Sequence, residues 1–547
     1  MHDRQPRPAD IIVIGAGING LGIARDAAER GLSVILVEKE DLCYGVSAWS
    51  GRLVHGGLRY LERGDVPLVR ESLRERERLF RVAPHLVKPV RLIMPFYARN
   101  TRPSWMIRLG MIAYDALSID KSVPAHRVLS RSAALERFHG MSRDGLSGAA
   151  LFTDGQLEYA ERLCAELAVA ARDAGARILL HTAAVGFVRE GDRVVGIECE
   201  SARGERFELR ARMVVNAAGP WVDRVLGGSS DAPAALAAKR LIGGAKGSHI
   251  IVDPFPGAPR DVVYYESQTD GRLVLVIPWM GRYLIGCTDI KFDAEPDTAR
   301  AEKDEISYLL TEVNALVPSA NLDESDILYT YSGVRPLPYA PDVPEWKVPR
   351  SHVLIDHGRS GAPGLVSVVS GKLTTYRQLA EDAVDGIERA LGRKRSRPIS
   401  KDQPFPGART ADLPAYLRAL ERDPRVEPDT ARRLGALYGT RAELVLALID
   451  ERPELAERVD PSSPAIAAEL VFAVTAEMAE TITDVLARRT MLAFEPGHGL
   501  DGVDRVADVL AAELGWSPER RAEEIEGYRA WLDHLRVPGR APSDAAR

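Results

Sequence analysis

The run Asp10-Ile-Ile-Val-Ile-Gly15-Ala-Gly17-Ile-Asn19-Gly20 decides how this chain is read. Its first half is a short, continuous apolar segment rich in β-branched residues, the pattern of a strand buried on both faces of a parallel sheet. The G-x-G-x-x-G that follows opens a helix-like stretch, Leu21 to Arg30, which Gly31 stops. A second apolar run, Ser33 to Glu38, ends in an acid 18 residues after Gly20. A lone G-x-G-x-x-G is weak, but here strand, glycine turn, helix, stop, strand and terminal carboxylate come in order, and each part has a task. Gly15 makes the tight turn, Gly17 lets backbone approach a pyrophosphate, and Gly20 lets helix pack on strand. The helix N-terminus, with Ile18 and Asn19, faces the phosphates, and Glu38 accepts from ribose hydroxyls. The expectation is a bound dinucleotide.

The bulk numbers suit a globular protein of two to four domains: 547 residues, 45% hydrophobic, 27% charged, net charge −6. Without a basic excess, dedicated nucleic-acid binding is not expected. The charge is uneven, however, with 16 Lys/Arg against 7 Asp/Glu between Arg52 and Arg131. The four cysteines (Cys43, Cys164, Cys199 and Cys287) have neither paired nor metal-ligand spacing, so reduced thiols and no metal are expected. The N-terminal ten residues hold no apolar signal-peptide region, no run of 18 apolar residues occurs, and there is no repeat. A cytoplasmic protein, open to peripheral attachment at the inner membrane, is the expectation.

Later elements bear on which dinucleotide. Arg212 to Asn216 reads as a strand running into Ala217-Ala218-Gly219-Pro220-Trp221, a segment type that closes over FAD in amine-oxidising flavoproteins. Gly364 to Tyr376 repeats the strand–glycine–helix grammar through Gly371, Lys372, Leu373 and Thr374, offering a second helix dipole to a flavin ring. Both favour FAD. Together with H-G-G-L-R-Y-L-E at 55–62, K-G-S-H-I at 246–250, V-I-P-W at 276–279, Y-S-G-V-R-P-L at 331–337 and S-G-K-L-T-T-Y-R at 370–377, these stretches give the chain a family likeness spanning about 370 residues. It resembles the FAD-dependent (respiratory) glycerol-3-phosphate dehydrogenases, which share a fold with D-amino-acid and glycine oxidases. Val474 to Phe494 is similar to that family's helical C-terminal domain.

The resemblance implies an α/β protein: a Rossmann-like FAD-binding domain interleaved with an α+β substrate domain of mostly antiparallel sheet, then an all-helical C-terminal domain. The core would span 1–392, with FAD-binding segments near 8–90, 150–225 and 350–392. An exposed Arg/Lys/Ser/Pro-rich linker would follow at 393–411, and helices from 412 to 547. Val194–Cys199, Arg206–Val215, Gly271–Pro278 and Gly281–Cys287 alternate like strands of the antiparallel sheet. It also implies Arg59, Tyr60 and Lys372 as substrate-binding, with Ser47 and Ser50 beside the flavin and a homodimer left open. The implied reaction oxidises sn-glycerol 3-phosphate to dihydroxyacetone phosphate by hydride transfer from C2 to flavin N5, electrons then passing to membrane quinone.

The chemistry has its own logic. A guanidinium such as Arg335 near the substrate hydroxyl would stabilise a developing alkoxide, and a neutral imidazole such as His249 would accept its proton. A phosphate calls for fixed cations, Arg59 first and Lys372 second. Arg52 is open between a pocket cation and a solvated strand end, and His55 between a pocket group and a turn. Glu62 to Arg81 reads as a solvated helix face. Two departures from the family stand out. Val46-Ser-Ala-Trp49-Ser-Gly-Arg52 replaces a hydroxyl-rich run ending in lysine, and Asp154-Gly-Gln-Leu-Glu158-Tyr-Ala-Glu161-Arg loses the second of two acids. Competing readings are an oxidase passing electrons to O2, a related amine or amino-acid oxidase, and a flavin-binding scaffold without turnover. Trp105 to Tyr114, apolar and flanked by Lys88, Arg91, Arg99 and Arg102, would suit the surface of an anionic bilayer or a buried helix with basic flanks.

Overall fold

The computed structural model describes residues 8–228, 239–344 and 347–540. The first seven residues and 541–547, included above in the N-terminal and C-terminal readings, lie outside them. The glycine-rich run forms as expected: β1 (Ala9–Ile14) leads into α1 (Ile18–Glu29) and then β2 (Val34–Val37). Gly15 sits at φ +104°, and a Cβ there would stand 2.8 Å from the Ala217 carbonyl oxygen. A Cβ on Gly20 would be 1.9 Å from the Gly15 oxygen, so no other residue lets the helix close onto the turn.

β1 is central in an eight-stranded sheet ordered 353–356, 365–369, 206–216, 9–14, 34–37, 177–179. Along this path all neighbours are parallel except the first pair, and the two remaining strands, 193–201 and 182–190, add on antiparallel from 206–210. α1 packs against the helices Tyr376–Ala390 and Ala160–Asp173 in a core of small and branched residues (Ala24, Ala27, Leu379, Ala383). A second, ten-stranded and largely antiparallel sheet includes 242–252, 327–338, 87–97 and 146–157. It stands beside the first and forms the opposite wall of the cavity described below.

Several expectations need correction. Residues 194–199 and 206–215 are strands of the dinucleotide layer, not of the substrate sheet. Arg206–Arg210 pairs antiparallel with 196–200, and the same strand then continues parallel to β1. Conversely, strands at 53–54, 87–97 and 146–157 belong to the second sheet although they fall in or overlap the segments assigned to FAD. The 393–411 segment is no plain linker: Phe405, Pro406, Gly407 and Ala408 are buried, with the Arg25 guanidinium 4.6 Å over the Phe405 ring. Composition signalled exposure there because basic residues and prolines surround the buried Ser400, bonded to Asp26 at 2.8 Å, and the buried run 405–408. Nor is α2 (Val66–Val82) merely a solvated face, since Ser72, Glu75 and Arg76 are buried against the cavity loops.

From Leu413 on, the described chain is helical apart from one β-bridge, Arg458 to Ile466. This unit docks through buried ion pairs: Arg489 to Asp41 at 2.7 Å twice, Arg162 to Glu477 at 2.5 Å, Arg441 to Glu166 at 2.9 Å. Asp41 follows β2 by four residues, so the helical unit is braced against the loop that carries Glu38.

Candidate active site

A cavity of about 500 Å³ runs between the two sheets. Gly15, Gly17, Ile18, Asn19, Glu38, Ser47 and Ser50 line it, as do Ala218, Gly219, Trp221 and residues 371–374. So do the predicted substrate ligands Arg59, Tyr60 and Lys372, and the predicted catalytic Arg335. The turn is held from within: the Ala16 N–H donates to Glu38 Oε2 at 2.7 Å and the Ile18 N–H to Ser47 Oγ at 3.0 Å. Ser47 is thus one hydroxyl of the altered run that still serves the helix N-terminus. Asn19 Oδ1 is buried without a partner, as a residue at a ligand-binding helix start would be. Glycine turn, helix N-terminus, carboxylate and second strand–glycine–helix all open on one space, so the residues fit an FAD.

The far end of the cavity is cationic. Arg335 Nη1 donates to Asp289 at 3.1 Å and its Nη2 lies 2.8 Å from Cys287 Sγ. Arg350 also donates to Asp289, at 3.2 Å. Lys372 Nζ stands 4.7 Å over the Tyr60 ring, with the Arg59 guanidinium 5.7 Å from the same ring. Against the pull of burial, Arg335, Arg350, Arg59 and Arg272 all act on Asp289 and hold its carboxyl below the usual range. Burial, and then the charges of Arg335 and Arg59, pull Arg350 down to about 10 although Asp289 opposes them. Burial would raise the Tyr60 phenol, but Lys372 and Arg59 outweigh it and bring it to about 8. Burial likewise lowers Lys372. An anion would relieve all of these at once.

His249 is not in the cavity wall. It lies behind Gly51 and Gly286, its Nε2 3.8 Å from where a Cβ on Gly51 would sit. Burial first, then Arg335 and Arg52, hold it neutral with a value of about 3, and its Nδ1 has no hydrogen-bond partner. The imidazole that does line the cavity is His55, also held neutral by burial and by Lys372 and Arg59.

Arg52 is neither a pocket ligand nor a solvated strand end. At 0% exposure it pairs with Glu161 at 2.5 Å, boxed by Trp279, Tyr331 and Phe494 at 5.0–5.7 Å. The two departures from the family thus meet: the cation of the altered run is neutralised by an acid of the other. Trp49 does not narrow the cavity; it packs outward on Tyr331 and stacks on Trp531 of the helical unit at 6.1 Å. Asp154 is held by Arg76 at 2.6 Å and Tyr114 at 2.7 Å.

Arg350, Asp289, Cys287 and Tyr264 line the site and were not singled out from sequence. Cys287 and Asp289 follow the strand Arg282–Gly286, so a strand end was the available signal; Arg350 carried none.

Comparison with known proteins bears on this site. The profile of the family described as "FAD dependent oxidoreductase" matches residues 10–377, and that of the "C-terminal domain of alpha-glycerophosphate oxidase" matches 398–521. A Synechocystis protein named glycerol-3-phosphate dehydrogenase is 44% identical over 536 residues, covering 97% of both chains. The chain belongs to the FAD-dependent glycerol-3-phosphate dehydrogenase family. Its cofactor is FAD. The family fold extends through the whole chain: the Bacillus halodurans glycerol-3-phosphate dehydrogenase complexed with FAD superposes with TM-score 0.79 at 26% identity, covering 98% of this chain and 96% of that one. A Brucella abortus protein named D-erythritol 1-phosphate dehydrogenase is 37% identical over 497 residues, covering 89% of this chain and 95% of its own.

Proposed function

We propose that this protein oxidises sn-glycerol 3-phosphate to dihydroxyacetone phosphate and passes the electrons to a membrane quinone. The observation that carries the reading is the cluster Arg59, Arg335, Arg350 and Lys372 at one end of a flavin-family cavity, far more positive charge than a carboxylate substrate needs. The names of its relatives point the same way.

When bound, FAD supplies the two-electron hydride acceptor. Arg59, Arg350 and Lys372 take the phosphate, a dianion that arginine's planar fork binds two-pronged. Arg335, kept in place by Asp289 and Cys287, stands by the reacting hydroxyl and stabilises negative charge as it grows on that oxygen. His55 in the wall is neutral at pH 7 and faces the cavity, where it can take the hydroxyl proton, and His249 is neutral as well but stands one layer behind the wall. The apolar parts of Leu92, Phe152 and Leu275 keep water from the reacting carbon.

A four-carbon polyol phosphate is the second reading, favoured by the 37% identity to the erythritol-phosphate enzyme. Membrane contact falls to α3 (Ser104–Leu117), whose outer face exposes Trp105, Leu109 and Ile112 at 58–62% while Ile107, Met111 and Tyr114 are buried. No helix among the described residues is long and apolar enough to cross a bilayer.

The test is anaerobic. sn-Glycerol 3-phosphate should bleach the flavin band of the holoenzyme, and erythritol phosphate should do so more slowly. A spectrum that stays yellow with the three-carbon substrate and bleaches with the four-carbon one would shift the assignment. Reoxidation in air within seconds, without quinone, would make the protein an oxidase.

A further inference from the structure

Helix α2 sends three buried polar side chains into the structure behind the cationic end of the cavity. Glu75 takes the Arg377 guanidinium in a two-pronged pair at 2.7 and 2.8 Å. Arg76 donates to Asp154 at 2.6 Å. Asp154 in turn accepts from the Tyr114 hydroxyl at 2.7 Å and lies 3.4 Å from the Gly56 nitrogen. The third is Ser72, fully buried, whose Oγ accepts from Lys372 Nζ at 2.9 Å. Ser72 does not line the cavity; Lys372 does.

A lysine ammonium has three N–H donors on a long, rotatable stem, so its position is only as definite as its acceptors. Within the protein Lys372 has two: Ser72 Oγ at 2.9 Å and the His55 carbonyl at a longer 3.3 Å. The Tyr60 ring lies below the charge at 4.7 Å. Two donors are thereby spent on fixing the ammonium, and one remains for a ligand in the cavity.

We infer that Ser72 is a positioning residue for Lys372: its hydroxyl fixes the ammonium over Tyr60 so that the free N–H meets an anionic oxygen of the ligand. This rests on the proposed role of Lys372 as an anion ligand. Of the three α2 groups Ser72 alone can be tested cleanly. Removing Arg76 leaves the buried Asp154 without a countercharge, and removing Glu75 takes the two-pronged partner from Arg377 and leaves it only the Glu381 carboxylate, so either change strains the fold itself. Ser72→Ala removes one oxygen and leaves a methyl in the same space, and the lysine keeps its second acceptor.

The experiment uses the FAD-loaded full-length protein with inorganic phosphate as the probe, its Kd read from the perturbed flavin absorbance. S72A should keep its FAD content and melting temperature close to wild type while weakening phosphate about tenfold, about 1.4 kcal/mol. The KM for sn-glycerol 3-phosphate should rise by a similar factor, with kcat changing less. S72T, which keeps the hydroxyl, should restore both. In a K372M background S72A should have no further effect on phosphate, because the group it acts through is gone.

Unchanged phosphate affinity in S72A would overturn the inference. So would a loss that persists undiminished in K372M, which would place Ser72's effect elsewhere. A wild-type holoenzyme with no measurable phosphate affinity would overturn it together with the anion-site reading. A wild type that binds phosphate but ignores glycerol 3-phosphate, with the S72A loss still present, would sink the substrate assignment and leave the positioning role standing.

Discussion

Arg350→Met should move two properties in opposite directions. Arg350 is 8% exposed, donates to Asp289 at 3.2 Å and is brought down to about 10 by burial against neighbouring cations. Holding a guanidinium charged there at neutral pH costs about 3 kcal/mol as an upper figure, since each tenfold shift in proton affinity is 1.36 kcal/mol. Methionine fills much of the same volume without charge, and Asp289 keeps Arg335 at 3.1 Å. The variant without substrate should therefore be the more stable one, by up to a few degrees in Tm. Ligand binding should suffer instead. Losing a charge-assisted hydrogen bond costs about 1.5–3 kcal/mol, so the Kd for phosphate and the KM for glycerol 3-phosphate should rise roughly 10- to 100-fold. Differential scanning fluorimetry of holoenzyme and phosphate titration on the same preparations measure both. If Tm falls and phosphate affinity holds, Arg350 is a structural partner of Asp289, and the account of this end of the cavity fails.

Of the four cysteines only Cys287 is not buried, and it lines the cavity. A small alkylating reagent on native holoenzyme should modify Cys287 alone by peptide mass spectrometry, and phosphate should slow the reaction. Replacing Trp105 and Leu109 together by Glu should abolish co-sedimentation with anionic vesicles while leaving activity on a soluble dye acceptor intact; unchanged sedimentation would remove α3 from the contact. Glu477, held down to about 2 because Arg162 and Arg441 outweigh its burial, is ionised in the folded state well below the pH at which the unfolded chain protonates it. Its stabilisation is thus complete above about pH 4.5 and is lost as pH falls towards 2. E477Q should lower stability at pH 7 by about 3–5 kcal/mol, as breaking a buried pair does. It should also flatten the acid limb of the denaturation curve, and a limb of unchanged steepness would count against this assignment.

What sequence alone determined is local and repetitive. β1, the glycine turn and α1 could be read because strand, turn and helix are specified by residues within thirty positions of one another, and because Gly15 and Gly20 have no sterically permitted substitute. Arg59, Tyr60, Lys372 and Arg335 were legible through the motifs around them, and the cavity gathers all four. What only tertiary structure decided is where charges stand relative to one another. Arg52 and Glu161 lie 109 positions apart, and nothing near either announces that they neutralise each other in the core. Ser72 and Lys372 are 300 apart, Arg350 and Asp289 61. A charged residue in a one-dimensional pattern reads as solvated by default, because the cost of burial and the partner that offsets it are both long-range quantities. For the same reason His249, marked by its motif, turned out to stand behind the wall, and Arg350, marked by nothing, to form part of it.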